Sequence, residues 1–385
     1  MIYLDNNATT IVAPEVKEAM EPYLSTMYGN PSSVYEFGKR VRRSVEEARA
    51  IVARLLGSHD AREIVFTSGA TESNNAAVRS ALKSFRSRRK IVTTRVEHSS
   101  IKNLCNALGE EGYDVITIGV ERSGTLKWEE FERALTGDVA IVTVMWANNE
   151  TGVLFPMERI AAIVKAKGLL LHVDATQAVG KIPVDLSGVP IDFLSLSAHK
   201  FHGPKGIGVL FIREGVPFEP FVLGGRQERD RRAGTENVAG MIGLSRALEL
   251  AAATMKADSA RVTSLRDRLE SQLLAHSPDS FVNGGEVARL ANTANLTIPG
   301  VETELLLIRL SEFDIAASGG SACLTGALEP SHVLEAMGLS RDLALNSVRF
   351  SLSRYTTEEE IAAAVDVIAN LVSELRSGGR RTYDQ

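Results

Sequence analysis

The sequence has little cysteine and no long apolar run. Cys105 and Cys323 are the only two cysteines among 385 residues, too few for a framework of disulfide bonds, so a reducing compartment is expected. No apolar stretch approaches the ~20 residues that cross a bilayer. The first residues also lack the charged and then apolar layout of a signal peptide. We therefore predict a cytoplasmic protein without a membrane segment.

The sequence also has no excess of lysine and arginine over aspartate and glutamate. The chain has 43 Lys and Arg against 48 Asp and Glu, a formal net charge of −5, which argues against a general nucleic-acid binder. We predict no metal site. A hydrophobic content of 44% with 24% charged residues is typical of a globular protein. A length of 385 residues exceeds what one core usually supports and favours two domains.

Short apolar segments alternate with amphipathic ones through the first half of the chain. Repeated β–α units of this kind predict an α/β fold with a mostly parallel sheet covered by helices on both faces. A hairpin around Lys200 adds one antiparallel strand, which makes seven in all. The predicted strands are 64–67, 91–96, 115–118, 140–144, 169–174, 191–196 and 208–213.

The composition changes at Lys256. Residues 235–255 are almost free of charge and predict a long buried helix, and a separate charged helix is predicted after it. We predict a large domain at 12–255 and a smaller α/β domain formed by 1–11 and 256–385. The smaller domain contains a loop rich in small residues at about 316–330, which includes Cys323.

Polar residues follow several predicted strands, and ligands of open α/β sheets bind at the carboxyl ends of strands. Ala70 and Thr71 open a helix whose N–H groups suit a phosphate, although a plain N-cap has the same composition. His98 could stack on a ligand or titrate against it, but a lone histidine is commonly structural. Asn149 could bind an oxygen, or could simply form a turn.

Two further strands end in groups with a stronger chemical preference. Asp174, with Gln177 three residues later, closes an apolar strand and should seek a cationic partner such as a pyridinium N–H; a structural salt bridge is the alternative. Lys200 follows Ser197 and His199 in the hairpin, which suits a Schiff-base lysine, although polar hairpins are common. Lys205, within Gly-Pro-Lys-Gly, is expected to be a turn residue.

Five unrelated turns would not explain this combination of groups at one edge. A Schiff-base lysine, a partner for a pyridinium nitrogen, a stacking ring and a phosphate cradle together match pyridoxal 5′-phosphate (PLP). Cys323, on a flexible loop, is the candidate reactive thiol, whereas Cys105 falls on the apolar face of a helix. Arg349, in a late strand, could bind a carboxylate as a fork or be a surface charge.

The same segments carry a family resemblance. They include Ser-Ala-His-Lys at 197–200 and Gly-Ser-Ala-Cys at 320–323, with further motifs at 3–10, 29–33, 66–73, 96–98, 146–152, 172–177, 232–237, 328–333 and 348–355. The sequence resembles the cysteine desulfurases, fold-type I PLP enzymes of the class V aminotransferase group. It is most similar to the nitrogen-fixation type.

The resemblance implies a role for each matching residue. Lys200 would hold PLP as a Schiff base, Asp174 would pair with its ring nitrogen, His98 would stack on the ring and carry protons, and Gln177 would bond the phenolic oxygen. The residues implied to bind phosphate are Ala70, Thr71, Ser197 and His199, with Thr235 from the partner subunit of a homodimer. Asn149 and Arg349 would orient the substrate L-cysteine, and Cys323 would take its sulfur as a persulfide, leaving L-alanine.

Five positions depart from the family pattern. Gly319 replaces a serine and Leu324-Thr325 replaces Thr-Ser around the cysteine, while Arg226 and Asp230 stand where histidine and glycine are usual. These changes bear on loop mobility and sulfur hand-off and leave the implied catalytic set intact.

We therefore expect a cysteine desulfurase that passes sulfur to an iron–sulfur scaffold protein. The alternatives are a selenocysteine lyase or another class V enzyme, neither of which needs Cys323 in the same way, and a non-catalytic sulfur carrier, which would not need Lys200, Asp174 and Cys323 together.

Overall fold

The computed structural model describes residues 1–319 and 329–378. The strands are β1 Ile2–Tyr3, β2 Ile64–Thr67, β3 Lys90–Thr94, β4 Asp114–Ile118, β5 Val139–Met145, β6 Leu171–Asp174, β7 Phe193–Ser197, β8 Gly208–Ile212, β9 Phe281–Val282, β10 Thr293–Thr297, β11 Ile315–Ala316 and β12 Ser347–Ser351. The helices are α1 Pro14–Ser25, α2 Glu36–Leu55, α3 Ala70–Ser84, α4 Ser99–Glu110, α5 Trp128–Ala134, α6 Met157–Ala166, α7 Val238–His276, α8 Thr303–Ser311, α9 His332–Ala336, α10 Arg341–Leu345 and α11 Glu358–Gly378.

A seven-stranded sheet occupies the first part of the chain, in the order β2-β8-β7-β6-β5-β3-β4. All neighbours pair in parallel except β8, which is antiparallel to both β2 and β7. Every residue of β5 to β8 is buried, as expected where helices cover both faces. The predicted α/β fold, with its one antiparallel strand, is confirmed.

Apolar side chains pack on each face of this sheet. On one face α3 and α4 contribute Leu82, Ile101 and Leu108 to a core. On the other face the core draws on α2, α6 and α7, for example through Val52, Ile160 and Leu244. Apolar side chains thus cover both faces of the sheet, and a ligand can reach it at the ends of its strands.

The helix α7 crosses the change in composition without a break. It runs for 39 residues, so the prediction of two helices meeting near Lys256 is wrong. The residues around that point are Met255, Lys256 and Ala257, all good helix formers, so nothing there ends the helix. Its most apolar window has the length and hydropathy of a membrane span, but half of that window is buried inside the protein.

A second core belongs to the later part of the chain. The three-stranded sheet β12-β10-β9 packs with α11 and with the second half of α7, through residues such as Leu269, Leu296 and Ile368. The chain's first residues join this part, because β1 pairs with β11 and Leu4 lies in the second core. By contrast, Val333 and Met337 pack on the first core. The division at residue 255 falls inside α7 and stays a prediction.

A buried ion pair ties α2 to the turn before α7. Arg49, 3% exposed, donates from Nη1 and Nη2 to Glu228, at 2.7 Å each, and Glu228 also accepts from the N–H of Phe66 in β2. The turn itself is strained, since Glu228, Arg229 and Asp230 have φ of 47°, 58° and 65°. Asp230, the residue for which the resemblance leads us to expect glycine, is thus in the left-handed region. The ion pair anchors this turn.

We expect Arg49→Met to lower the free energy of unfolding by about 3–5 kcal/mol, because it leaves the Glu228 carboxylate buried without its partner. The control is Arg43→Met. Arg43 pairs with Glu36 on the same helix, but both side chains are about two-thirds exposed, so its loss should cost less than about 1 kcal/mol. Urea denaturation followed by circular dichroism measures both. Equal losses in the two variants would contradict the anchoring role.

Candidate functional site

A cavity of about 860 Å³ opens at the carboxyl edge of the large sheet. The ends of β2, β5, β6 and β7 meet here, as the strand order requires. Ten of the predicted site residues line it, namely Ala70, Thr71, His98, Asn149, Asp174, Gln177, Ser197, His199, Lys200 and Arg349. Thr235 is exposed and is not part of this lining. Cys323 lies outside the described residues.

Lys200 ends a short helical turn that follows β7. Its Nζ donates to the carbonyl oxygens of Asn7 at 2.7 Å and Ala8 at 2.8 Å. Burial lowers its pKa to about 8, and the nearby Arg349 cation acts in the same direction. A much larger share of this amine is therefore uncharged near neutral pH than for an exposed lysine. Lys205 also lines the cavity but is exposed.

Asp174 closes β6 at the bottom of the cavity and is 6% exposed. One carboxylate oxygen accepts from Nδ2 of Asn74 at 2.8 Å, and the other accepts from the N–H of Thr176 at 3.0 Å. Two bonds leave part of the carboxylate's accepting capacity unused. A buried anion with spare lone pairs will attract a cationic N–H in the cavity.

A turn between β2 and α3 forms the other wall. Gly69, the N-cap of α3, has φ 153° and no side-chain cap, so the first N–H groups of a 15-residue helix face the cavity without a capping side chain. A Cβ on Gly208 would lie 2.7 Å from Cα of Gly69, which only glycine avoids. The backbone of β8 therefore presses directly on the turn and holds it beside Ser197.

The N-terminal segment crosses the site and contacts both parts of the chain. The carbonyl oxygen of Asn7 accepts from Lys200 and from Nε2 of Gln177, at 2.9 Å for the latter. Its Nδ2 donates to the oxygens of Asn149 at 3.1 Å and Thr293 at 2.8 Å. Asn7 thus joins β10 to the lysine and glutamine of the large sheet.

Arg349 projects from β12 into the cavity and is 4% exposed, so it is not a surface charge. Its Nη2 donates to Asp5 at 2.6 Å and its Nη1 to the carbonyl oxygen of Asn149 at 3.0 Å. Its buried Nε has no partner among the described residues. This arrangement keeps one edge of the guanidinium available for a carboxylate.

Two histidines complete the walls. His98 caps α4 and accepts from the N–H of Ser100, with its ring toward the cavity. Desolvation chiefly lowers its pKa, with Lys200 and His332 adding to the effect and Asp174 opposing it, so the ring is neutral at pH 7 and can accept a proton. The Nδ1 of His199 lies 3.1 Å from Oγ1 of Thr9. Burial lowers its pKa to about 4.

The sequence-based prediction missed several residues of the site. Asn74 holds Asp174, and its spacing of four from Ala70 places it on the cradle side of α3, a signal that could have identified it. Asn7 lies in the motif at 3–10, but the sequence predicts no role for it. Lys181, whose Nζ donates to Gln177, had no sequence signal, because its contact depends on how the turn after β6 folds.

The comparisons with known proteins agree with this geometry. The family model described as aminotransferase class V matches residues 2–363. The chain belongs to this family. It is 51% identical to the cysteine desulfurase of Trichormus azollae over 377 residues, 98% of this chain and 94% of that protein. It is 49% identical to the cysteine desulfurase NifS of Azotobacter vinelandii over 376 residues, 98% of this chain and 94% of that protein.

A solved structure described as a NifS-like protein superimposes with a TM-score of 0.91 at 38% identity, covering 97% of this chain and 99% of that one. The predicted family and fold type are confirmed. Members of this family are PLP enzymes, and PLP is therefore the cofactor that this cavity is expected to bind.

We expect Lys200 of the cofactor-free protein to be half deprotonated near pH 8. An uncharged amine is acylated and an ammonium is not, so labelling of Lys200 should rise as the pH increases through that value. Competitive labelling with acetic anhydride and peptide mass spectrometry measures it. In Arg349→Met the half-labelling pH should be higher, because a cation that disfavours the charged lysine is gone. A wild-type value near the ordinary ~10.4 would contradict the expectation.

Proposed function

We propose that this chain is a PLP-dependent cysteine desulfurase, which removes sulfur from L-cysteine and releases L-alanine. The enzyme class agrees with the relatives, which are cysteine desulfurases at about half identity over nearly the whole chain. The observation that carries the proposal is the meeting of Lys200, Asp174 and Arg349 in one cavity. An amine of lowered pKa, a buried carboxylate and a guanidinium are what PLP chemistry on an amino acid requires, and Cys323 is the thiol that the desulfurase reaction needs in addition.

The residues present fit PLP. The phosphate would take the uncapped start of α3 at Ala70 and Thr71, with Ser197 and His199 beside it. The ring nitrogen would face the spare lone pairs of Asp174, and the amine of Lys200 would bind the aldehyde carbon. When bound, PLP supplies an electron sink that stabilises negative charge on the substrate Cα. Asp174 supports that sink by keeping the ring nitrogen protonated.

Arg349 would bind the substrate's carboxylate. Its guanidinium is already fixed by Asp5 and Asn149, so little side-chain entropy is lost on binding. Asn149 and His98 line the same cavity, and His98 would carry protons between the substrate and Lys200.

Cys323 would then attack the substrate sulfur as a thiolate. A sulfur–sulfur bond forms, and the Cβ–S bond breaks with its electron pair going to carbon, which takes up a proton. L-Alanine leaves, and the persulfide on Cys323 passes its sulfur to an acceptor, which we take to be an iron–sulfur scaffold protein in the cytoplasm. Thr235, exposed and outside this protomer's cavity, is the residue we assign to the partner's phosphate in a homodimer.

We expect Cys323→Ala to abolish sulfide release from L-cysteine while the absorbance of bound PLP is unchanged. Cys105→Ala is the matched control. Cys105 is buried in α4, and burial raises the pKa of its thiol to about 12, so it is a poor nucleophile and its removal should leave turnover intact. Sulfide and alanine are both quantified. Full turnover in Cys323→Ala would rule out the persulfide step.

A further inference from the structure

Lys181 lies behind Gln177, on the side away from the main cavity. Its Nζ donates to Oε1 of Gln177 at 2.5 Å and to Oδ1 of Asn7 at 2.9 Å. It also lines a separate cavity of about 80 Å³ that extends behind Lys200. Within the described residues, Lys181 is hydrogen-bonded to the site through the amide side chains of Gln177 and Asn7.

The contact settles which way the Gln177 amide points. A lysine amine presents N–H donors to these two oxygens, while a glutamine amide has an acceptor on one end and a donor on the other. With Oε1 held by Lys181, Nε2 must face the opposite way, where it donates to the carbonyl oxygen of Asn7 at 2.9 Å. Its second N–H remains for the cavity.

Charge pairing does not account for Lys181. No Asp or Glu forms an ion pair with it within residues 1–319 and 329–378. Burial lowers its pKa well below the ordinary value, and the Lys200 and Arg349 cations lower it further. Burying a charged amine beside other cations without a counter-ion is costly. The hydrogen bonds to Gln177 and Asn7 therefore hold the Lys181 amine in place. Both bonds survive when the amine is uncharged, since it still has two N–H donors.

We propose that Lys181 is a positioning residue that holds Gln177 with its N–H side toward the phenolic oxygen of bound PLP. This inference rests on the proposed binding of PLP. The oxygen would accept from Gln177 as well as from the protonated nitrogen joined to Lys200. A phenolate that accepts a second bond holds the neighbouring proton less tightly, so that nitrogen loses its proton at a lower pH.

The test is the pH titration of the absorbance of bound PLP, without substrate. Lys181→Met removes the donor, so the Gln177 amide can turn over. We expect the midpoint of the titration to rise by roughly 0.5–1 pH unit, the size expected when a bond to an ionised oxygen is weakened. Lys181→Ala, which also lacks the donor but is smaller, should show the same rise if methionine disturbs the packing.

Lys181→Arg is the matched control. Arginine also has donors only, and the 80 Å³ cavity beside Lys181 leaves room for the larger group, so the wild-type midpoint should be kept. The decisive comparison repeats Lys181→Met in a Gln177→Met background, where no further rise is expected.

Three outcomes separate the possibilities. An unchanged midpoint in Lys181→Met and Lys181→Ala, with PLP still bound, overturns the proposal. An equal rise in the Gln177→Met background also overturns it, because Lys181 would then act through its charge alone. A wild-type protein that takes up no PLP would refute the proposed function instead.

Discussion

The contact between the backbones at Gly69 and Gly208 determines where the site can form. The antiparallel β8 lies between β2 and β7, so the turn after β2 and the lysine hairpin after β7 are both next to it. A side chain at Gly208 would collide with Gly69 and with the carbonyl oxygen of Leu196, 2.5 Å from its Cβ. The absence of that side chain brings the start of α3 and Lys200 to the same wall. The positions of the first turn of α3 and of the Lys200 amine therefore both depend on this one close approach.

The second constraint is the path of the first residues of the chain. Asp5 pairs with Arg349, while Asn7 and Ala8 accept from Lys200. Arg349 lies in β12 of the three-stranded sheet and Lys200 follows β7 of the seven-stranded sheet, yet both bind to the same short segment. A displacement of β12 would therefore move the segment that accepts the hydrogen bonds of Lys200. The site is a property of both cores, not of the large sheet alone.

The sequence predicted the parts of this structure that follow from local pattern. Apolar, β-branched segments predicted all seven strands of the large sheet. The rule that ligands meet strand ends predicted nine of the ten lining residues, and Arg349, within β12, was predicted separately as a carboxylate fork or a surface charge. Sequence-based prediction failed where a contact joins residues that are far apart along the chain. The orientation of Gln177 depends on Lys181, and the burial of Arg349 depends on Asp5, 344 residues away along the chain. The change in composition at Lys256 marks the passage of one helix from the first core to the second, which charge alone does not distinguish from a break.

The length of α7 also determines how the two cores depend on each other. α7 has 39 residues, which at 1.5 Å per residue is about 58 Å. Its first half contributes Leu244 and Leu248 to one core and its second half Leu265 and Leu269 to the other. A chain that ended at the change in composition would leave Leu4 without the rest of the second core and β1 without its partner β11. The packing of the first residues of the chain therefore depends on the second half of α7 and on the elements that follow it.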